Sequence, residues 1–255
     1  MIRHIPNLVT LLNLFCGCLA VTLASQNNFT MAALFLALGI LFDFFDGFLA
    51  RILGVQSPLG IQLDSLADLV TSGLVPGMVM FRLLTAVAEP ENGLENWQYA
   101  MSWFDVPFVP YALLGFVITL ASCYRLAKFN LDEDQQTYFK GLPTPANALL
   151  IVSLPLAAEF QQQIWLTNLI MNPWFLIGLT FLSSYLLVSP IKLFSLKVKT
   201  YAFKDNLVRY GFLLFCILAI LFFQFAAIPM IIIGYVLVSV VFERYWFVKS
   251  VDSNQ

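Results

Sequence analysis

The chain has 255 residues, of which 60% are hydrophobic and 11% charged, with a formal net charge of −2 and a mean hydropathy of +0.83. A soluble domain carries about 25% charged residues, so this composition excludes a soluble globular protein. The expected fold class is an all-α polytopic membrane protein, one integral membrane domain over residues 1–255, with the lipid bilayer as its surroundings and no nucleic acid as partner.

Apolar runs near 20 residues in length predict about eight transmembrane helices. They fall at roughly 7–25, 30–53, 60–86, 107–127, 143–160, 172–190, 207–225 and 228–247. The first follows the start of the chain closely but carries Asn7, Thr10 and Asn13, and no small-residue cleavage site follows it, so a cleaved signal is not expected. Pro6 suits a first helical turn, where its missing N–H would be unpaired anyway. Asn7, Thr10 and Asn13 recur at i, i+3 and i+6 and draw a polar stripe along an apolar helix. Such a stripe serves either hydrogen bonding between helices or a ligand.

The second segment contains the most informative stretch. Asp43 and Asp46 are i and i+3 and share a helix face; Gly47, Ala50 and Arg51 follow. After a turn holding Ser57 and Pro58, the third segment brings Gly60, then Asp64 and Asp68 at i and i+4. Ionisable side chains inside apolar spans are costly and point to function. If the two helices are antiparallel neighbours, the four carboxylates converge, and their mutual repulsion calls for cations between them. Hard oxygen donors in that number suit Mg²⁺, Mn²⁺ or Ca²⁺. Gly47 leaves the backbone open to a ligand, and Arg51 can hold a phosphate through two hydrogen bonds. Ser57 caps the next helix or donates to a phosphate. A structural cation cluster, an ion-pair cluster and a divalent-cation transport site all remain open at this point. Thr71, Ser72, Gly73, Pro76 and Gly77 then permit close helix packing or a kink.

The 87–106 stretch carries Glu89, Glu91, Glu95, Trp97 and Trp103, with Arg82 expected to snorkel toward that boundary. The fourth segment ends in Arg125, Lys128 and Asn130, and an acidic loop leads to Lys140-Gly141-Leu142-Pro143-Thr144-Pro145-Ala146-Asn147. Lys192, Lys197, Lys199 and Lys204 follow the sixth segment. The last two segments show no polar site and read as scaffold or dimer surface. Cys16, Cys18, Cys123 and Cys216 all fall in apolar segments, match no metal spacing, and read as small packing residues.

Arg82 apart, the Lys and Arg residues sit at ends or loops on one side of an eight-span arrangement. The positive-inside rule then makes both termini cytoplasmic and sets Arg51, with the carboxylates, near the cytoplasmic face. Asp43 lies about 12 Å deeper at ~1.5 Å per residue.

The pattern D-x2-D-G-x2-A-R-x8-G-x3-D-x3-D, running from Asp43 to Asp68, resembles the signature of the CDP-alcohol phosphatidyltransferase family, and every fixed position is filled. Arg125 to Asn130 and Lys140 to Ala146 resemble the phosphatidylserine-forming branch. Lys128 there replaces a usual arginine, which weakens any bidentate role at that position. The resemblance implies a six-helix catalytic core over roughly 1–190 with two extra helices over roughly 207–247, a homodimer, and a cell-membrane enzyme with a cytoplasmic active site. It implies CDP-diacylglycerol as donor and L-serine as acceptor, giving phosphatidylserine and CMP. It further implies that Asp43, Asp46, Asp64 and Asp68 bind Mn²⁺ or Mg²⁺ in a two-metal site, and that Asp68 takes the proton of the attacking hydroxyl. Asn7, Thr10, Asn13, Gly47, Ala50, Arg51, Ser57 and Gly60 are then the CDP-diacylglycerol residues. Arg125, Asn130, Lys140 and Asn147 are the candidates for binding serine. Other acceptor alcohols, such as glycerol phosphate, inositol phosphate or choline, would use the same chemistry.

Overall fold

The computed structural model describes residues 4–88, 109–131, 139–161, 163–193 and 207–252. The 89–106 glutamates and tryptophans, Asp132 to Asp134, and Lys197, Lys199 and Lys204 therefore lie outside the described residues. Helix α1 (Ile5–Ser25) and helix α2 (Phe29–Ile52) form an antiparallel hairpin. Asn27 makes its turn with a left-handed φ of 62°, and Asn28 caps α2 by accepting a hydrogen bond from the Met31 N–H at 3.1 Å. Small residues let the two helices approach closely: α1 buries Gly17, Ala20 and Ala24, and α2 buries Ala32, Leu36 and Gly39.

Helix α3 (Pro58–Asp68) begins where Ser57 accepts from the Gly60 N–H at 3.1 Å and Pro58 fills the first turn. It runs through a π-helical turn (Leu69–Leu74) into helix α4 (Val75–Ala88). The wider turn inserts residues into the helical register, and Thr71, Ser72 and Gly73 are all buried in it. Thr71 Oγ1 donates to the Asn13 carbonyl at 3.2 Å, and Thr119 Oγ1 donates to the Gly73 carbonyl at 3.0 Å. Arg82 departs from the expected snorkelling. It is 1% exposed, and its Nε donates to Asn27 Oδ1 at 2.8 Å. The turn between α1 and α2 supplies a polar acceptor inside the protein, so the guanidinium stays in.

A 3₁₀ turn (Pro110–Phe116) leads into helix α5 (Val117–Leu131). A short antiparallel pair, β1 (Phe139–Lys140) with β2 (Lys192–Leu193), brackets helix α6 (Thr144–Gln161), helix α7 (Ile164–Ile170) and helix α8 (Pro173–Val188). Helix α6 is buried from Leu150 through Ala157. Helices α7 and α8 bend by 65°, and Asn172 caps the second half. Helix α9 (Leu207–Phe223) meets helix α10 (Ala227–Asp252) through a turn at Gln224–Ala226. The Phe212 and Tyr235 rings lie 5.9 Å apart. A continuous straight helix would hold them about 34 Å apart at ~1.5 Å per residue, so α10 folds back along α9.

This is an integral membrane protein built of helices. Among the described residues, five helices are long and apolar enough to cross a membrane, or six when the bent pair α7–α8 counts as one span. The sequence count of eight is higher for two physical reasons. Helix α6 carries Asn147, Pro155 and Glu159, which lower its hydropathy, and the stretch Tyr210–Val241 enters the tally as one span although it contains the α9–α10 turn. Among the cysteines, only Cys16 is buried, whereas Cys18 and Cys123 are exposed on outer helix faces and all four are free thiols.

Gly141 fixes where α6 begins. Its φ is +76°, its N–H donates to the Ile191 carbonyl at 2.8 Å, and a Cβ there would sit 2.7 Å from the Leu187 carbonyl oxygen. Gly141→Ala is expected to destabilise the protein by roughly 1–3 kcal/mol, read as a lower unfolding midpoint in detergent. Gly178→Ala, at a helical glycine with nothing within 4 Å, is expected to leave the midpoint unchanged or raised.

Candidate active site

The site is assembled by three consecutive helices. Asp43 and Asp46 project from one face of α2, and Asp64 and Asp68 from one face of α3. One oxygen each from Asp43, Asp46 and Asp64 lies within 4.8 Å of the others. Asp46 is 5% exposed, and the other two are half-buried. Unit charges 4 Å apart repel by about 4 kcal/mol even at an effective dielectric constant of 20. An all-oxygen, all-anionic donor set at this spacing fits a hard divalent cation such as Mg²⁺ or Mn²⁺. Asp68 is not part of that trio, although its side chain lies against Asp43.

A cavity of about 530 Å³ opens beside the trio. Asn7, Thr10, Gly47, Ala50, Arg51, Ser57 and Gly60, all singled out in the sequence, line it together with Asp43, Asp46 and Asp64. Arg51 is exposed there, with its Nε donating to the Gly47 carbonyl at 3.0 Å. That bond holds the guanidinium one turn above the carboxylates. Ser57 both caps α3 and lines the cavity, so the two readings of its hydroxyl converge on one position. A Cβ on Gly60 would meet Ser57 Oγ at 3.3 Å and Asn7 Oδ1 at 3.4 Å, which explains why the smallest residue stands between those two polar groups.

Asn13 is different. It is fully buried and does not line the cavity; its Nδ2 lies 3.4 Å from Asp68 Oδ1. The structure thus places Asn13 behind a carboxylate and apart from the cavity lining. Thr10 is also more than a wall residue, because its hydroxyl donates to Asp46 Oδ2. Pro6, Phe44, Val55, Gln56 and Ile61 complete the cavity and were not anticipated. Gln56 and Val55 sit in the turn beside Ser57, and their proximity to it was the available signal.

Of the expected serine residues, Arg125 interacts with Asp68 electrostatically, and its buried Nε has no hydrogen-bond partner among the described residues. Asn130 Nδ2 donates to Ser65 Oγ at 2.9 Å, which ties α5 to α3 beside Asp64. Asn147 is 0% exposed, with both amide atoms lacking a partner among the described residues. Lys140 has its backbone in β1, and its side chain lies outside the described part.

Residues 3–177 match the family described as CDP-alcohol phosphatidyltransferase, and the chain belongs to that family. It is 32% identical over 190 residues to the CDP-diacylglycerol–serine O-phosphatidyltransferase of Bacillus subtilis, a match covering 74% of this chain and 89% of that protein. It is also 34% identical over 167 residues to the protein of the same description from Saccharomyces cerevisiae, covering 59% of this chain and 53% of the yeast one. The Mycobacterium tuberculosis counterpart is 29% identical over 198 residues, covering 74% of this chain and 60% of that protein.

Asp43→Asn removes one charge from the trio. Mn²⁺ titration followed by electron paramagnetic resonance is expected to show affinity reduced by on the order of 100-fold. Unchanged affinity would remove Asp43 from the ligand set.

Proposed function

We propose that this protein transfers the phosphatidyl group from CDP-diacylglycerol to L-serine, yielding phosphatidylserine and CMP. The observation that carries the reading is the carboxylate trio of Asp43, Asp46 and Asp64 at the side of a cavity that also holds Arg51. The family membership and the printed descriptions of the relatives support the same substrates.

On this reading the cytidine and its phosphates enter the cavity between α1, α2 and α3. Asn7, Ser57, Gly60, Gly47 and Ala50 shape the nucleotide end, with Thr10 in the same wall. Arg51 neutralises the pyrophosphate as a fork donor. Asp43, Asp46 and Asp64 would hold Mn²⁺ or Mg²⁺, as a pair with Asp68 as a further ligand, and the ions would supply Lewis-acid charge neutralisation of the pyrophosphate. Asp68 takes the proton of the serine hydroxyl. The hydroxyl oxygen forms a bond to the lipid-side phosphorus, the phosphoanhydride bond breaks in line, and CMP departs with its phosphate. Positioning and charge neutralisation suffice, so no covalent enzyme intermediate is needed. Serine's carboxylate is taken by Arg125, and Asn147, with both buried amide atoms unpartnered, is the strongest of the further candidates. Lys140 remains a candidate. Asn130 already has Ser65 as partner, which favours an anchoring role for it.

The proposal includes eight crossings with both termini and the active site on the cytoplasmic side of the cell membrane. The fold-back of α10 on α9 and the one-sided Lys and Arg distribution support it. A homodimer belongs to the proposal through the family resemblance.

The test is CMP release by the purified protein with Mn²⁺ and CDP-diacylglycerol across a panel of alcohols. L-serine is expected to drive release. Release driven instead by glycerol phosphate, inositol phosphate or choline would overturn the acceptor and keep the chemistry. Asp68→Asn is expected to lower kcat by at least about 100-fold while CDP binding persists. Normal turnover by that variant would overturn the role of Asp68.

A further inference from the structure

Of the polar stripe Asn7, Thr10 and Asn13 on α1, two side chains turn toward carboxylates. Thr10 is 4% exposed and donates to Asp46 Oδ2 on α2. Asn13 is 0% exposed and its Nδ2 donates to Asp68 Oδ1 on α3 at 3.4 Å. The Thr10 hydroxyl also lies 3.1 Å from the Pro6 carbonyl. It has one proton, and a carboxylate is the stronger acceptor.

The donors are held by backbone packing. The Asn13 carbonyl accepts from Thr71 Oγ1 at 3.2 Å in the π-helical turn that directly follows Asp68. A Cβ on Gly39 of α2 would lie 3.0 Å from Asn13 Oδ1 and 2.7 Å from Thr71 Cγ2, so α1, α2 and the π turn meet with no spare room.

We propose that Thr10 and Asn13 are positioning residues with separate duties: Thr10 orients Asp46 for cation binding, and Asn13 orients Asp68 for taking the proton of the acceptor hydroxyl. This rests on the reading of Asp46 as a cation ligand and Asp68 as proton acceptor. Hydrogen bonds behind metal ligands are worth about 10–100-fold in affinity or activity.

The test uses full-length protein in detergent, with Mn²⁺ titration by electron paramagnetic resonance and steady-state kinetics at saturating Mn²⁺. Thr10→Val keeps the shape and removes the donor; Mn²⁺ affinity is expected to fall by about 10–100-fold. Thr10→Ser keeps the hydroxyl and is expected to restore affinity to within about threefold of wild type, a rescue that loss of packing would not give. Asn13→Leu is expected to lower kcat by about tenfold or more while KM for CDP-diacylglycerol stays within about twofold. If Asn13→Leu does not accumulate folded, Asn13→Ala is held to the same criteria. Wild-type Mn²⁺ affinity in Thr10→Val, equal impairment of Thr10→Ser, or wild-type kcat in the Asn13 variant would each overturn the assignment. Absence of Mn²⁺ binding by the wild type would instead overturn the functional reading beneath it.

Discussion

Everything in this structure answers to one constraint: several carboxylates stand close together inside an apolar helical bundle. Three of them bring oxygens within 4.8 Å of one another. Charges withdrawn from water need partners, and like charges need more than neutral packing offers. The fold meets that need from three directions. Helix α1 supplies hydrogen-bond donors from behind, Arg125 on α5 interacts electrostatically with Asp68, and a cavity lined by Arg51 opens in front. The same apolar surroundings that make the carboxylates costly also make their interactions strong, because little water competes for them.

Holding donors within reach of carboxylates on two other helices demands close backbone approach. Gly17 and Gly39 both pack on Thr71, where a Cβ would come within 2.7 Å of its side chain. Thr71 belongs to the π-helical turn, and that turn lies immediately after Asp68. A regular α-helix would rotate Gly73 away from the buried side. The wider turn keeps Thr71, Ser72 and Gly73 together on it, so α3 can meet α1 through Thr71 and α5 through Gly73. The position of Asp68 is thus set by contacts with two neighbouring helices.

The convergence of the carboxylates was legible because helical spacing alone puts Asp43 with Asp46 and Asp64 with Asp68. Most of the cavity was legible as well, through Asn7, Arg51, Ser57 and Gly60. Three features were not. A polar stripe on an apolar helix has a direction but no named partner, so the contact of Asn13 with Asp68 was not visible in it. Arg82 read as a boundary residue because hydropathy registers its charge but not the Asn27 acceptor, which lies 55 positions away in the chain. The π turn left only a run of small and polar residues, which fits a kink equally well. Hydropathy and length pick out five or six spans among the described residues, whereas the sequence pattern of eight also takes 143–160 as a span and divides 207–225 from 228–247, where α6 and the α9–α10 turn lie.

On the proposed reading, Asp68 stands beside the trio, against Asp43, and adds the role of proton acceptor to that of a further ligand. Besides the neighbouring carboxylates, Asp68 has the Asn13 amide as a hydrogen-bond donor and interacts electrostatically with Arg125. On the proposed reading, an acceptor that carries both a hydroxyl and a carboxylate suits that environment, since Arg125 can hold the carboxylate while Asp68 meets the hydroxyl. Helices α9 and α10 lie beyond residues 3–177, the span shared with the family, and contribute none of these groups. On the proposed reading, the last pair acts on the site through its packing against α6.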